Sequence, residues 1–191
     1  MPMPRLLTLL ALAALLGCPA PSTLPSTQPA SSEPASAADE HAGHETDEHA
    51  GHVMHDLPPV TLPQGSLVTE ADVRFMQMMI GHHAQAVYMT RMAEAAGASD
   101  RVLKLATKID LSQAGEIALM QGWLVDHGQF APDTDSWRRM SMPGMLTATQ
   151  LEQLGAARGR DFDRLFLQLM IKHHEGAIQM VTELLRSPGA G

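Results

Sequence analysis

Two pairs of adjacent histidines, His82-His83 and His173-His174, each lie between methionines. Imidazole nitrogen and thioether sulfur together favour a borderline-to-soft metal ion, copper above all. Zinc would take the imidazoles but has little use for thioether. The pairs belong to a duplicated segment. Phe75 to Met89 reads FMQMMIGHHAQAVYM and Phe166 to Met180 reads FLQLMIKHHEGAIQM, with 8 of 15 positions identical at an offset of 91.

On a helix the identical residues form one stripe. Phe75, Met79, His82, Ala86 and Met89 step by 4, 3, 4 and 3, as do Phe166, Met170, His173, Ala177 and Met180. A second stripe flanks the first: Met76, Ile80, His83 and Val87 in one copy, Leu167, Ile171, His174 and Ile178 in the other. Positions such as Gly81 against Lys172 and Ala84 against Glu175 differ and are expected to face outward. Two helices with the same stripe can pack about a pseudo-two-fold axis, Ala86 and Ala177 letting the backbones approach. Four buried imidazoles then need partners, and a metal held between facing helices is one answer. Adjacent histidines diverge by about 100° on a helix, so His82 and His173 suit one common site better than all four together. The candidate ligands are His82, His83, His173 and His174, with Met79, Met89, Met170 and Met180; for the methionines, core packing is an equal alternative.

The elements that must position these residues are helical. Thr69 with Asp72 caps a helix running to about Ala96, and Ser99 caps a second from Asp100 to about His127. Phe130 to Gly144 reads as a loop. Thr147 with Gln150 forms a capping box for a short helix to about Ala157, and a last helix runs from about Asp161 to Arg186. The expected fold is an all-α antiparallel helical bundle over residues 66–187, three long helices and one short. On the second helix Gln113, Glu116, Met120, Trp123 and His127 share one face. It reads as a packing face with Glu116 paired to an Arg or Lys, although Glu116 and His127 are also auxiliary metal candidates. Met140, Met142 and Met145 cluster in the loop, either as a metal-loading site or as a hydrophobic latch over the bundle end.

The rest of the chain is of another kind. The 191 residues carry a net charge of −8, and seven of the 21 acids but no Lys or Arg lie between Leu6 and Gly65. Nothing in this balance suggests a nucleic-acid partner. Residues 1–17 read as a signal peptide: a basic start, then an apolar run too short to span a membrane. Leu15-Leu16-Gly17-Cys18 resembles a lipobox, which implies export and a lipid anchor on Cys18, the single cysteine; an ordinary secretory signal with Cys18 incidental is the alternative. Residues 18–65 read as a Pro/Ser-rich disordered tether. Its segment 41–55 carries His41, His44, His49, His52 and His55 among acids, a composition suited to weak capture of divalent ions or to a solvated spacer.

The pattern Asp72, Phe75, Met79, His82, His83, Ala86, Met89 recurs from Asp163 to Met180. With Gln113-x2-Glu116-Ile117-x2-Met120 and Met142-Pro143-Gly144-Met145 it resembles the domain-of-unknown-function family 305, over about Leu67 to Leu185. That resemblance implies a ferritin-like helical fold and extracytoplasmic copper binding through the Met and His residues named above. Fuller members continue with a further helix where this chain stops, so an exposed edge completed by a second copy is expected. The combined expectation is an exported copper-binding protein, a store, chaperone or resistance factor for Cu(I) or Cu(II), working with a copper exporter or another periplasmic copper protein. No proton-transfer dyad, nucleophile–base pair or phosphate loop is evident, and no enzyme is expected. A metal-dependent oxidase, or a structural module whose core histidines are hydrogen-bonded, are the alternatives.

Overall fold

The structure, a computed structural model, describes residues 57–187. Among them the regular elements are α1 (Glu70–Thr90), α2 (Asp100–Asp126), a 3-10 turn (Ser136–Arg139), α3 (Ala148–Ala156) and α4 (Gly159–Arg186), with no strand. The fold is an all-α helical bundle. The signal segment, Cys18 and the five tail histidines lie outside the described residues.

Both capping boxes form. Thr69 and Asp72 exchange side-chain and backbone bonds at the start of α1, and Thr147 and Gln150 do so at α3, satisfying first-turn N–H groups that have no helical acceptor. Ser99 holds the N-cap position of α2, but its side chain makes no capping bond; its backbone N–H donates instead to Asp163 at 3.1 Å, tying α2 to α4.

α1 ends at Thr90, short of the expected Ala96. The Thr90 hydroxyl donates to Val87 O at 2.7 Å and lies 3.2 Å from Asp110 Oδ1, which can share the same proton. A hydroxyl that takes a backbone carbonyl competes with the helical ladder. The chain then tightens into turns, with Met92 N–H bonded to Met89 O and Ala93 N–H to Thr90 O. The loop after α2 also holds more structure than expected, namely the 3-10 turn around Trp137.

Contacts fix the helix directions. Thr90 meets Asp110, His83 meets Glu116 and Gln77 meets Phe130, so α1 and α2 are antiparallel. Phe75 shares a cleft with Leu184 and His82 faces His173, so α1 and α4 are antiparallel too. The Ser99–Asp163 and Gln113–His174 contacts advance together, which makes α2 and α4 parallel.

The main core gathers at one end, where Met89, Ala93, Val102 and Ala106 meet Leu154, Phe162, Phe166 and Met170. Five alanines, at 86, 93, 96, 98 and 106, stand in this cluster, so the backbones can close around the two phenylalanines. The repeat shows in the packing. Met89 and Phe166 share this cluster, while Met180 and Phe75 line one cleft at the other end. The Phe of each copy is thus grouped with the last Met of the other, as a two-fold relation requires.

The two repeat helices are not equally covered. Met76, Ile80 and Val87 on the second stripe of α1 are buried by α2. Their counterparts on α4 are open: Leu167 is 38 %, Ile171 60 % and Ile178 49 % exposed. Gly81 and Ala84, expected to face outward, are buried, because the 136–142 segment crosses α1 there. A Cβ on Gly81 would lie 2.7 Å from the Met140 sulfur. Lys172 and Glu175 on α4 are exposed as expected. No helix among the described residues is long and apolar enough to cross a membrane.

Residues 57–65, at the end of the expected tether, are non-helical and held to the bundle. Arg74 donates to Pro58 O at 2.9 Å and Gln129 to Thr61 O at 2.9 Å.

Candidate metal centre

The four histidines form a row across the α1–α4 seam. Ring centroids are 6.5 Å apart from His83 to His82, 3.9 Å from His82 to His173 and 6.2 Å from His173 to His174. The inner two, His82 and His173, are each 1 % exposed. α2 closes the row at both ends. Glu116 Oε2 lies 2.7 Å from His83 Nε2, and one turn earlier Gln113 Nε2 lies 3.4 Å from His174 Nε2.

Hydrogen-bond partners assign the ring protons. His82 Nε2 faces Pro143 O at 3.1 Å; a carbonyl only accepts, so this nitrogen carries the proton. His174 Nδ1 lies 2.8 Å from Met170 O and is protonated for the same reason. In the neutral ring its Nε2 is then a bare acceptor, facing the Gln113 amide. His173 Nε2, His83 Nδ1 and Gln113 Oε1 are buried with no hydrogen-bond partner.

Burial decides the charge of the inner pair. Loss of water pushes the His82 pKa down to about 3, and the neighbouring His83 and His174 add to this against the Pro143 carbonyl. His173 is held well below the ordinary imidazole value by burial, then by His82, His174 and His83, against a smaller opposing contribution from the His82 backbone. Both inner rings are neutral at pH 7. Burial pushes the Glu116 carboxyl up, but hydrogen bonds from His83 and Ser112 and the nearby histidines outweigh it and hold the carboxyl below its ordinary value. Glu116 thus pairs with a histidine, not with the Arg or Lys expected from sequence. The reason is that the Glu116 face of α2 packs onto α1 at the level of His83.

A loop crosses both repeat helices at this level. Gln85 clamps Leu146, donating to its carbonyl at 3.1 Å and accepting from its N–H at 2.8 Å. Gly176 takes the position in the second copy that Gln85 holds in the first. A Cβ there would overlap the Pro143 carbonyl, and one on Gly144, at φ 77°, would lie 2.7 Å from Lys172 O. Bare backbone on both sides therefore lets the loop lie flat on α4 and present the Pro143 carbonyl to His82.

Several predicted residues come together here and others do not. His82, His83, His173, His174 and Glu116 meet. Met142 is buried and Met145 half-buried in the crossing loop, so the loop lies over the middle of α1 and not over the bundle end. Met79 stands one turn before His82 and is buried; Met89 and Met170 belong to the apolar cluster, and Met180 lines the cleft with Phe75. His127 is remote: it caps the exposed end of α2, its Nδ1 bonded to Trp123 O at 2.7 Å and its ring 4.2 Å from the Trp123 ring. It lies about 16 Å along the helix axis from Glu116 at 1.5 Å per residue. The sequence reading missed Gln85, Pro143 and Gly176. Gln85 and Gly176 differ between the copies, so the repeat hid them.

The donor types suit a borderline or soft ion, since they are neutral imidazoles, one of them with a buried nitrogen that has no hydrogen-bond partner. The arrangement is closed, however. With metal–nitrogen bonds of about 2.0 Å, two imidazoles on one tetrahedral ion have centroids about 5 Å apart, so the His82 and His173 rings must part by about 1 Å to share one. Among the described residues, no three His, Cys, Asp or Glu side chains form a group able to hold a metal ion.

The chain is thus a helical bundle in which an antiparallel pair of repeat helices, flanked by a third, carries a row of four histidines across its seam. Residues 72–189 match the family described as Domain of unknown function (DUF305), and the chain belongs to it. No curated protein matches the chain. Two solved structures of the family are similar. A Streptomyces coelicolor protein described as secreted is 31 % identical at a TM-score of 0.53, covering 61 % of this chain and 73 % of its own. A Deinococcus radiodurans fragment is 32 % identical at a TM-score of 0.54, covering 63 % and 80 %.

Proposed function

We propose that the protein is an exported copper-binding protein, a store or chaperone, with His82 and His173 at the centre of its site. The observation that carries this reading is the Nε2 of His173, buried with no hydrogen-bond partner beside a second neutral imidazole. An unpaired buried polar atom costs about 1–3 kcal/mol. A purely structural pair would be expected to satisfy that atom, whereas a metal-binding pair keeps it for the ion. Copper accepts imidazole and thioether together, and Met79 lies one turn from His82. Export is supported by the basic and apolar start of the chain and by the secreted description of the Streptomyces relative. Cys18 would anchor the protein to the membrane, and the tail histidines would gather ions for the bundle. A copper exporter or another periplasmic copper protein would exchange ions with it.

The open stripe on α4 supports a homodimer. Leu167, Ile171, Ile178 and Leu185 form a run at helical spacing that no described element covers. A second copy would shield it.

The test is a titration of Cu(I), Cu(II) and Zn(II) into the mature chain, comparing three variants. One replaces the five tail histidines by Ala, one replaces His82 and His173, and one does both. Tight copper binding should survive loss of the tail and vanish with His82 and His173. Copper affinity that follows the tail alone would sink the proposal.

A further inference from the structure

We propose that Glu116 is a positioning residue that holds His83 as a metal ligand through Nδ1, without itself touching the ion; this rests on the metal-binding reading above. The Glu116 Oε2–His83 Nε2 distance of 2.7 Å is that of a short, charge-assisted bond. A carboxylate accepts, so in the neutral ring the proton sits on Nε2 and Nδ1 is bare. That Nδ1 is buried and has no partner. The second carboxylate oxygen is also engaged, accepting from the Ser112 hydroxyl at 2.9 Å one turn earlier on α2. Each carboxylate oxygen thus already accepts a short hydrogen bond, and the two bonds together aim the group at His83.

A plain ion pair explains less. The two side chains are 13 % and 14 % exposed, and a pair serving stability alone has no reason to leave the far nitrogen of its imidazole buried and unpaired. A ring whose one nitrogen is bonded to a carboxylate while the other stays bare matches the way metal-bound histidines are supported. The carboxylate fixes the tautomer and ring orientation and raises the basicity of the ligating nitrogen. His174 is prepared in the opposite sense. The Met170 carbonyl accepts from Nδ1–H, which in the neutral ring leaves Nε2 without a proton and facing the Gln113 amide. The two outer rings thus present different nitrogens, each determined by a neighbouring acceptor.

The test uses the mature, metal-free chain and long-range proton–nitrogen NMR of the histidine rings, followed by Cu(I) titration against a chromophoric chelator. In the wild type, His83 should be the Nε2–H tautomer. Glu116→Ala should abolish that single-tautomer pattern and weaken copper affinity by about 10–100-fold. His83→Ala, which removes the ligand itself, should weaken it at least as much. Ser112→Ala should shift both readouts in the same direction as Glu116→Ala but by less, and it decides the matter if Glu116→Ala fails to fold. An Nδ1–H tautomer in the wild type overturns the proposal. So does an unchanged tautomer in the variants, or unchanged affinity in Glu116→Ala where His83→Ala loses it. If no variant and not even the wild type binds copper, the copper reading fails, while the metal-free spectra still decide the hold of Glu116 on the ring.

Discussion

The imidazoles of His82 and His173 lie with centroids 3.9 Å apart and planes tilted by 41°, buried at the seam of two helices that carry the same sequence stripe. They occupy equivalent positions in the repeat, so the contact is close to the two-fold axis relating the copies. Their surroundings are nevertheless unlike. His82 donates to the Pro143 carbonyl, whereas His173 keeps an unpaired Nε2. The crossing loop breaks the symmetry, giving the Nε2 of one ring an acceptor and that of the other none.

Burial of the inner pair makes stability depend on pH. The unfolded chain takes up a proton on each of these histidines near pH 6.5, whereas the native His82 does so only near 3 and His173 well below 6.5. Between those values the unfolded state binds more protons, so stability falls as pH falls. The loss approaches about 1.4 kcal/mol per pH unit for each histidine. Above pH 6.5 this contribution is complete and constant. Urea midpoints at pH 7.5, 6.5, 5.5 and 5 should show the decline, and replacing both residues by Gln should flatten it. An equal slope with and without the pair would refute the assignment.

Gly176→Ala should destabilise the protein by about 3 kcal/mol, at the upper end for overpacking. The added methyl meets backbone, the Pro143 carbonyl, and not the end of a flexible side chain. Displacement of Pro143 also removes the acceptor of His82. Thermal unfolding measures the cost; a variant as stable as the parent would show that the loop does not lie on α4 as described.

Gln85→Ala should cost about 2–4 kcal/mol, because it strips partners from both the N–H and the carbonyl of buried Leu146. Gln85→Glu keeps an acceptor for the N–H but offers no donor to the carbonyl, so it should remain destabilised. Denaturant unfolding of the two variants would reveal a contradiction if the Ala variant matched the wild type.

The uncovered stripe on α4 should mediate self-association. Ile171 and Ile178 are 60 % and 49 % exposed, and replacing both by Lys should convert a dimer at micromolar concentration into a monomer with unchanged helicity. Sedimentation equilibrium reads this directly, and a monomeric wild type would exclude it.

Much of the architecture was legible in the residues because it depends on local rules. The Thr69–Asp72 and Thr147–Gln150 caps are bonds between residues three apart, and they formed where the pattern put them. The spacing of Phe75, Met79, His82, Ala86 and Met89 defines a face whatever the rest of the chain does, and its repetition after Phe166 predicted the meeting of His82 with His173. Local rules failed where a distant segment intervened. Ala-rich sequence after Thr90 favours helix, but Asp110 on the next helix helps hold the Thr90 hydroxyl that ends it. Gly81 looks like a surface position until Met140 is laid on it.

By itself the sequence determined the helical class, the repeat and the histidines that would share a level, since periodicity and capping act within a few residues. Only the tertiary structure decided which histidine nitrogens find a partner and which do not, that Glu116 belongs to His83, and that Pro143 belongs to His82. Those choices depend on partners 33 and 61 residues away, brought to hydrogen-bonding distance by packing, and no local pattern encodes them.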